Sequence, residues 1–391
     1  MRAYIKYTLR RYLPYFLTLG IVLVAYFMIC VNASNACLRI SGLYINGRPT
    51  SSMLGFFIPL IILTTFAPLF ANRYRYHIQD VDLFYQNPKG QRAVRYTNNL
   101  VVLLGSIAIY TVLFLFSLFI MLLIQLPDVG KEIVRNETTY RYILFNFGYY
   151  ILAYLIVLVA SCFNYFIAYF LITRSNRPIN SLIMLACGYF LLHNLIATPL
   201  YYAFYYYSQL NGDVRYIFRL TSFSTFHSVT MINPLALAYE AFNPLVIGVD
   251  SSFFETREQI LVILDFIHLG LFVILGGLCI FAFIKEKESS GELAGKSVGR
   301  DHYQNIIFEA SFILLAFLLG AIGNYGSVLQ IVLQVAFLVF LLAGYYVFRS
   351  IMNHRFAIKK KDIIYYVIVS ATYIVSLVLT IVLNTIINNM K

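Results

Sequence analysis

The chain has 391 residues, of which 60% are hydrophobic and only 12% are charged. A soluble domain carries roughly a quarter charged residues, so this composition excludes an ordinary water-soluble fold and indicates apolar segments buried in lipid. The formal net charge of +12 lies mostly in short stretches beside apolar segments, which favours anionic lipid headgroups, and not nucleic acid, as the partner of the basic residues.

Nine apolar stretches follow one another along the chain, each about long enough to cross a bilayer as a helix. Their predicted bounds are 13–32, 53–71, 99–125, 146–172, 180–203, 259–284, 305–322, 327–348 and 363–386. With a cytosolic N-terminus, 20 of the 29 Lys and Arg residues fall on the cytosolic side and 9 on the outer side. This imbalance follows the positive-inside rule. The predicted fold class is an all-α, polytopic membrane bundle of about nine transmembrane helices.

Two segments outside these spans have a recognisable pattern. Residues 1–12 place four basic residues among aromatic and aliphatic ones at helical spacing. This suits an amphipathic helix on the inner membrane surface, and basic flanking of the first span explains it equally well. Residues 204–257 are apolar for a loop and are interrupted at Pro234 and Pro244. They favour a re-entrant outer segment of short helices, shielded by protein or by a watery cavity.

The sequence gives no sign of a nucleotide or metal site. Residues 291–297 resemble a phosphate-binding loop, but only three residues separate the two glycines and the segment lies between membrane spans. The five Cys residues are scattered and show no metal-ligand spacing. We therefore predict that this chain binds no cofactor of its own.

The stretch between the second and third spans, 72–97, is cytosolic in this topology. From Asp80 to Arg92 it reads DVDLFYQNPKGQR, with aromatic residues followed by a Pro-Lys-Gly turn and a basic restart into the next span. It can form a short helix along the membrane that offers Phe84 and Tyr85 to a partner. An ordinary loop whose aromatic side chains touch the bilayer is the alternative.

The order of Asp82, Phe84, Pro88 and Arg92 resembles the coupling-helix region of ABC-2 type transporter permeases. Residues 291–295, Gly-Glu-Leu-Ala-Gly, are similar to an element after the sixth span of some Gram-positive members. The layout also resembles that family: a surface helix, six core spans, a short inner turn between spans 4 and 5, and a re-entrant segment before span 6. The resemblance covers roughly the first 300 residues.

This resemblance implies a permease subunit of a bacterial ABC exporter in the cytoplasmic membrane, without enzymatic activity of its own. It would pair with a second permease subunit and bind two copies of a cytosolic ATPase, which would hold ATP and Mg. The substrate would be amphipathic: a peptide, an antibiotic or a lipid. The domains would be an interfacial helix at 1–12, a six-span core at 13–284, a cytosolic linker at 285–304 and an additional three-span module at 305–391. The core would include a coupling segment at 76–95 and the re-entrant segment 204–257.

The resemblance also implies where the ATPase would bind. The segment 76–95 would be the first contact, and the turn between spans 4 and 5 would be the second. Phe84 and Tyr85 are the predicted anchors, because aromatic side chains commonly dominate such interfaces. The full set of predicted interface residues is Asp82, Phe84, Tyr85, Pro88, Lys89, Arg92, Arg174 and Arg177.

Four ionisable residues lie within predicted spans, where an unpaired charge is costly. Asp265 and His268 are three residues apart in the sixth span and share a helix face. They form either a structural pair or a proton relay that contacts a polar substrate. His193 in the fifth span and Glu309 near the inner end of the seventh are open to the same two interpretations.

Two other functions stay open. A proton-coupled secondary transporter would use Asp265 and His268, but it should show inverted repeats and helices broken near mid-membrane. A membrane-embedded enzyme acting on lipid-linked substrates would use 204–257 as a catalytic outer loop. That loop carries scattered ionisable residues without a recognisable catalytic spacing.

Replacing Asp265 separates the exporter from the proton-coupled transporter. In an ATP-driven exporter, Asp265→Asn should leave transport largely intact, because the carboxylate carries no proton for the cycle. Transport assays in cells with matched expression measure the effect. A complete loss of transport at normal expression would contradict this expectation and favour the proton relay.

Overall fold

A computed structural model of the chain describes twelve stretches. They are residues 2–41, 51–73, 76, 91–128, 132–135, 138–141, 147–175, 177–192, 256–286, 302–321, 328–353 and 360–390. Over these residues the fold is a set of long helices with one short β-hairpin.

Nine helices occur in the described residues, and each coincides with one of the nine predicted spans. They are α1 (Arg2–Ser41), α2 (Ser51–Ala71), α3 (Gln91–Gln125), α4 (Phe147–Ile172), α5 (Pro178–Leu192), α6 (Thr256–Lys285), α7 (His302–Ala321), α8 (Val328–Asn353) and α9 (Lys360–Met390). Six of them are long and apolar enough to cross a membrane, and the described apolar parts of α2, α5 and α6 are shorter. The chain is thus a helical, multi-pass membrane bundle. The count of nine spans and the cytosolic N-terminus stay predictions.

The outward faces of the helices are strongly apolar, as a membrane bundle requires. Phe340 on α8 and Ile21 on α1 are 75% and 71% exposed, and many other aliphatic side chains are exposed along the same helices. Helices that each expose so many large apolar side chains are rare on soluble monomers. In a bilayer, lipid tails cover it without cost.

Three details differ from the sequence-based expectation. The segment 1–12 and the first span form one continuous helix, α1, which passes through Pro14 without ending. The helix α3 begins at Gln91, so residues 91–95 of the predicted coupling segment are helical. An antiparallel hairpin, Glu132–Arg135 with Thr138–Arg141, lies in the link between α3 and α4, and it is an addition to the predicted all-α fold.

By their internal contacts the residues form two compact units. Unit 1 comprises Met1–Asn72, Leu83–Phe170 and Asn233–Ser289, and unit 2 comprises Arg73–Asp82, Leu171–Ile232 and Ser290–Lys391. Unit 1 therefore holds α1 to α3, most of α4, and α6, whereas α5 groups with α7, α8 and α9. The predicted functional division between 13–284 and 305–391 stays a prediction.

Unit 1 is built around an aromatic cluster contributed by four helices. Phe27 of α1, Phe56 of α2 and Tyr110 of α3 are buried side by side, and the Tyr110 hydroxyl donates to the Phe56 carbonyl at 2.6 Å. The rings of Phe114 and Tyr154 stack at 5.0 Å, which adds α4 to the cluster. Aromatic rings fill apolar space, and the buried tyrosine hydroxyl finds a hydrogen-bond partner within the cluster.

A polar network holds unit 1 together elsewhere. The Asn72 side chain donates to Asn99 Oδ1 at 3.1 Å, and the Tyr165 hydroxyl donates to the same oxygen at 2.8 Å. These contacts link α2, α3 and α4. In lipid, where apolar burial does not drive helix association, such interhelical hydrogen bonds act as specific attachments.

Unit 2 depends on a close approach of α7 to α9. A Cβ placed on Gly320 of α7 would lie 2.6 Å from the Tyr373 carbonyl oxygen and 3.0 Å from Ser376 Cβ. The absence of a side chain at Gly320 therefore sets the spacing of the two helices. By contrast, a Cβ on Gly344 of α8 would have no heavy atom within 4 Å.

Gly320→Ala should destabilise unit 2, because the new methyl group meets the backbone of α9 and forces the helices apart. Overpacking of this kind costs about 1–3 kcal/mol. Thermal stability of the detergent-solubilised protein measures the effect, and Gly344→Ala is the matched control, which should be neutral or slightly stabilising. Equal stability of the two variants would show that α7 and α9 are not held at this spacing.

Candidate functional site

One predicted contact residue, Arg92, lies in the first turn of α3. Because α3 begins at Gln91, Arg92 and Arg95 lie three apart on one helix, near the C-terminal end of α6. The carbonyl groups at that end lack partners within α6 and must be satisfied from outside.

Side chains of α3 supply these partners. Arg92 Nη2 donates to the Ile284 carbonyl at 2.8 Å, and the Tyr96 hydroxyl donates to the same oxygen at 2.9 Å. Arg95 Nη2 donates to the Glu286 carbonyl at 3.1 Å. The two guanidinium groups also complement the negative end of the helix dipole of α6.

Arg95 is the centre of this arrangement, although the sequence analysis did not select it. Its side chain is 5% exposed, and Nη1 lies 3.7 Å from Glu286 Oε2. The Tyr169 hydroxyl of α4 donates to that same carboxylate oxygen at 2.5 Å. The Arg95 guanidinium carbon lies 5.8 Å from the centre of the Phe283 ring.

These contacts join α3, α6 and α4 within unit 1. We call the arrangement the α3–α6 clamp. Its members are Arg92, Arg95, Tyr96, Tyr169, Phe283 and Glu286. The spacing of Arg92, Arg95 and Tyr96 could have indicated a shared helix face, but only if the start of α3 had been placed at Gln91.

The predicted second contact, between α4 and α5, is a closed turn. The Arg174 and Ser175 amides donate to the Leu171 and Ile172 carbonyls at 3.3 and 3.2 Å. The Arg177 amide lies 3.3 Å from Ser175 Oγ, and the Ser175 hydroxyl is buried in the turn. These bonds fix the backbone that carries Arg174 and Arg177, whose side chains are half-buried.

The helix α5 then begins in a well-formed way. Pro178 occupies the first helical position, where a missing amide hydrogen costs nothing. The Ser181 amide donates to the Arg177 carbonyl at 2.9 Å, which is the first helical hydrogen bond. The Ser181 hydroxyl donates back to the Ile172 carbonyl of α4 at 3.1 Å. The Tyr76 hydroxyl donates to Ser181 Oγ at 3.0 Å.

Glu309 lies buried in unit 2 within a polar cluster. Its carboxylate accepts from the Tyr345 hydroxyl, with oxygen–oxygen distances of 2.8 and 3.0 Å, and lies 3.3 Å from Arg349 Nη1. Arg349 Nε bonds Asp362 at 3.1 Å, and Arg349 Nη1 bonds Asn305 at 2.9 Å. The arrangement connects α7, α8 and α9 and compensates the charge of Glu309, which favours a structural pair.

Several predicted site residues lie outside the described part of the chain. They are Asp82, Phe84, Tyr85, Pro88, Lys89 and His193. The re-entrant segment 204–257 falls outside it as well, apart from its last two residues, which belong to α6. Asp265 and His268 lie on α6, but their side chains are not among those described. Their pairing therefore stays a prediction.

Gly276 of α6 is a close packing position against α4. The helix continues through it, and a Cβ there would lie 2.5 Å from the Phe163 ring of α4. The described residues contain no group of three His, Cys, Asp or Glu side chains that could hold a metal ion.

Comparison with known proteins gives no relative. No family model, no curated protein and no solved structure matches this chain.

Arg95→Met should destabilise unit 1 strongly, since it removes a buried cation beside the Glu286 carboxylate and a donor to the Glu286 carbonyl after α6. Breaking a buried ion pair costs about 3 kcal/mol or more. Arg92→Met is the comparison variant and should cost less, because the Arg92 guanidinium is exposed and the Ile284 carbonyl keeps the Tyr96 hydroxyl as a donor. The measurement is thermal stability in detergent, and equal losses in the two variants would contradict the central position of Arg95.

Proposed function

We propose that this chain is the transmembrane permease subunit of an ATP-driven exporter, coupled to a separate cytosolic ATPase. It would move an amphipathic substrate across a bacterial cytoplasmic membrane. The observation that supports this proposal most is the α3–α6 clamp, because a coupled permease needs a rigid connection between its cytosolic contact and its spans.

The helix α3 provides such a connection. It starts inside the predicted coupling segment and runs for 35 residues to Gln125, a length of about 52 Å. A displacement applied at Gln91 is carried along this helix, because its backbone hydrogen bonds resist bending between the two ends. No proline interrupts its sequence.

The clamp extends the same motion to two further helices. Arg92 and Tyr96 hold the Ile284 carbonyl of α6, and Glu286 holds both Arg95 and the Tyr169 hydroxyl of α4. A partner that moves the segment before α3 would therefore shift the ends of three helices together. The ATPase would bind ATP and Mg and supply the free energy for this motion. The residues of the clamp would transmit the motion to the spans.

The choice of an amphipathic substrate rests on the resemblance and on spans with few charged residues. Charged residues make up only 12% of the chain. A path for ions or sugars needs more buried polar groups. The exposed apolar surface of the helices would allow the substrate to enter from the lipid.

The direct test is purification of the tagged protein from its native host in mild detergent, followed by mass spectrometry of the proteins that accompany it. A stoichiometric soluble ATPase is the expected result, and it would also reveal whether the second permease is a copy or a different subunit. Purification without any nucleotide-binding subunit, after crosslinking at Lys89 or Lys296, would contradict the proposal. That result would favour a proton-coupled transporter or a membrane enzyme.

Phe84→Ala combined with Tyr85→Ala should uncouple ATP hydrolysis from transport. If these rings anchor the coupling segment in the ATPase, transport per ATP hydrolysed should fall by about tenfold or more, whereas folding of the spans is preserved. The paired control is Phe116→Ala with Phe119→Ala, which removes two exposed rings from α3 at positions that face outward. Unchanged coupling in the first variant would remove the assigned role of segment 76–95.

A further inference from the structure

The exposed side of the α3–α6 clamp carries two cations from different helices. Arg92 lies in the first turn of α3, Lys285 is the last residue of α6, and both side chains are exposed. The Arg92 guanidinium holds the carbonyl of Ile284, the residue before Lys285, so the two cations lie at the same level of unit 1. In the predicted topology this level is the cytosolic boundary of the membrane, where lipid phosphate groups lie.

The Arg92 guanidinium is fixed in position but keeps donors to spare. Its Nε donates to the Tyr96 hydroxyl at 3.4 Å and its Nη2 to the Ile284 carbonyl at 2.8 Å. Its Nη1 has no acceptor among the residues that the structure describes. A cation held in this way loses little conformational entropy when it binds an anion.

Lys285 adds a second positive charge beside it. Its Nζ lies 4.5 Å from the centre of the Phe281 ring, a contact that leaves its N–H donors open to other groups. The carboxylate of the next residue, Glu286, lies beside Arg95 instead. Within the described part of the chain no carboxylate forms an ion pair with Arg92 or Lys285, so both charges are offered to an outside anion.

An apolar row leads from Lys285 along α6 into the membrane. Ile274, Leu278 and Phe281 are exposed, and their spacing of four and three residues, continued by four to Lys285, places all of them on one helix face. The row is about 16 Å long, at 1.5 Å per residue. This matches the hydrocarbon depth of one leaflet, about 15 Å.

A second apolar row begins at Arg92 on α3. Leu100 and Leu104 are exposed and follow Arg92 at multiples of four residues, the spacing of a side-chain row along a helix. This row extends about 18 Å from the cation, a similar depth. Each helix therefore presents a cation at the membrane boundary and apolar side chains below it, which is the amphipathic pattern of a phospholipid.

We propose that Arg92 and Lys285 form a binding site for one anionic phospholipid in the leaflet predicted to be cytosolic. The two cations bind the phosphate, and the acyl chains lie along the exposed rows of α3 and α6. A guanidinium group suits this ligand because it donates two parallel hydrogen bonds to phosphate oxygens. Bound lipid would hold the end of α6 to α3 from the outside. The inference does not depend on the exporter function.

The apolar rows favour a lipid over the soluble ATPase, to which the resemblance assigns Arg92. A soluble partner reaches the cations but not side chains at the depth of Leu278 or Leu104. The fixed guanidinium also distinguishes a site from general attraction. On α1, Lys6 and Arg10 are exposed cations that make no hydrogen bond or ion pair with other described residues, so they attract anionic lipid without fixed geometry.

The test compares Arg92→Gln, Lys285→Gln and the double variant with the matched control Lys6→Gln combined with Arg10→Gln, which removes the same charge. Each full-length protein is placed in phosphatidylcholine with an increasing fraction of phosphatidylglycerol. Thermal stability against that fraction gives the apparent affinity, and native mass spectrometry counts the phosphatidylglycerol molecules retained.

Each single variant should weaken phosphatidylglycerol binding about fivefold, the contribution of one basic residue near an anionic surface. The double variant should lose more than either single variant and retain one lipid fewer than the wild type. The control should stay within about twofold of the wild type. Lys285→Gln guards against a folding defect, because Lys285 donates no side-chain hydrogen bond to the described residues and its stability in pure phosphatidylcholine should be unchanged.

Inorganic phosphate separates the lipid from a free anion. Added at millimolar concentration, it should neither stabilise the protein nor displace phosphatidylglycerol, because it has no acyl chains for the apolar rows. Stabilisation by inorganic phosphate equal to that by the lipid would overturn the lipid assignment.

Two further results would overturn the site. Equal losses in the control and in the double variant would show general attraction of lipid to the basic boundary. Unchanged phosphatidylglycerol binding in Arg92→Gln, together with weaker binding of a co-purifying ATPase, would return Arg92 to the ATPase contact. If no ATPase accompanies the wild-type protein, the proposed function fails, whereas the lipid measurement still decides whether the site exists.

Discussion

The structure depends on how the carbonyl groups at one set of helix ends are satisfied. A helix leaves its last four carbonyls without internal partners, so these groups must be satisfied from outside the helix. The helices α2, α4, α6 and α8 all end on the side predicted to be cytosolic. In each of them a carbonyl near the end accepts a hydrogen bond from a side chain of another helix. The acceptors are Ala71, Ile172, Ile284 and Met352, and the donors are Tyr12, Ser181, Arg92 with Tyr96, and Asn180.

These attachments differ in strength, and the difference bears on function. The ends of α2, α4 and α8 receive neutral donors, each worth about 1 kcal/mol net. The end of α6 receives two guanidinium groups, and hydrogen bonds to charged groups are about twice as strong. Among the hydrogen bonds described at these four helix ends, those at the end of α6 are therefore the strongest, and they come from α3, which starts inside the predicted coupling segment.

Away from the helix ends, two kinds of contact define the interior. Aromatic rings such as Tyr110 fill unit 1, and buried amides such as Asn99 join its helices. In unit 2 the spacing of α7 and α9 is set by Gly320, and Glu309 is held between Tyr345 and Arg349. Since lipid competes equally for every apolar surface, specificity in both units comes from shape and from hydrogen bonds.

The sequence by itself determined the membrane class and the positions of the helices. Apolar length and composition are local properties, so each predicted span matches a helix of the structure to within a few residues at most ends that are described. Local pattern did not reveal that α1 continues through Pro14 or that α3 starts at Gln91. Both boundaries depend on packing: Tyr4 and Tyr12 contact α3 and α2, and Arg92 and Arg95 contact the end of α6.

For the candidate site, the sequence selected Arg92 and the α4–α5 turn, but it missed Arg95, Tyr76 and Ser181. The partners of these residues are distant in the chain: Glu286 follows Arg95 by 191 positions, and Ser181 follows Tyr76 by 105. Neither motif nor periodicity encodes such a pairing. Only the tertiary structure decides it, because a polar side chain at a membrane boundary takes whichever helix end the packing of the bundle brings within hydrogen-bonding distance.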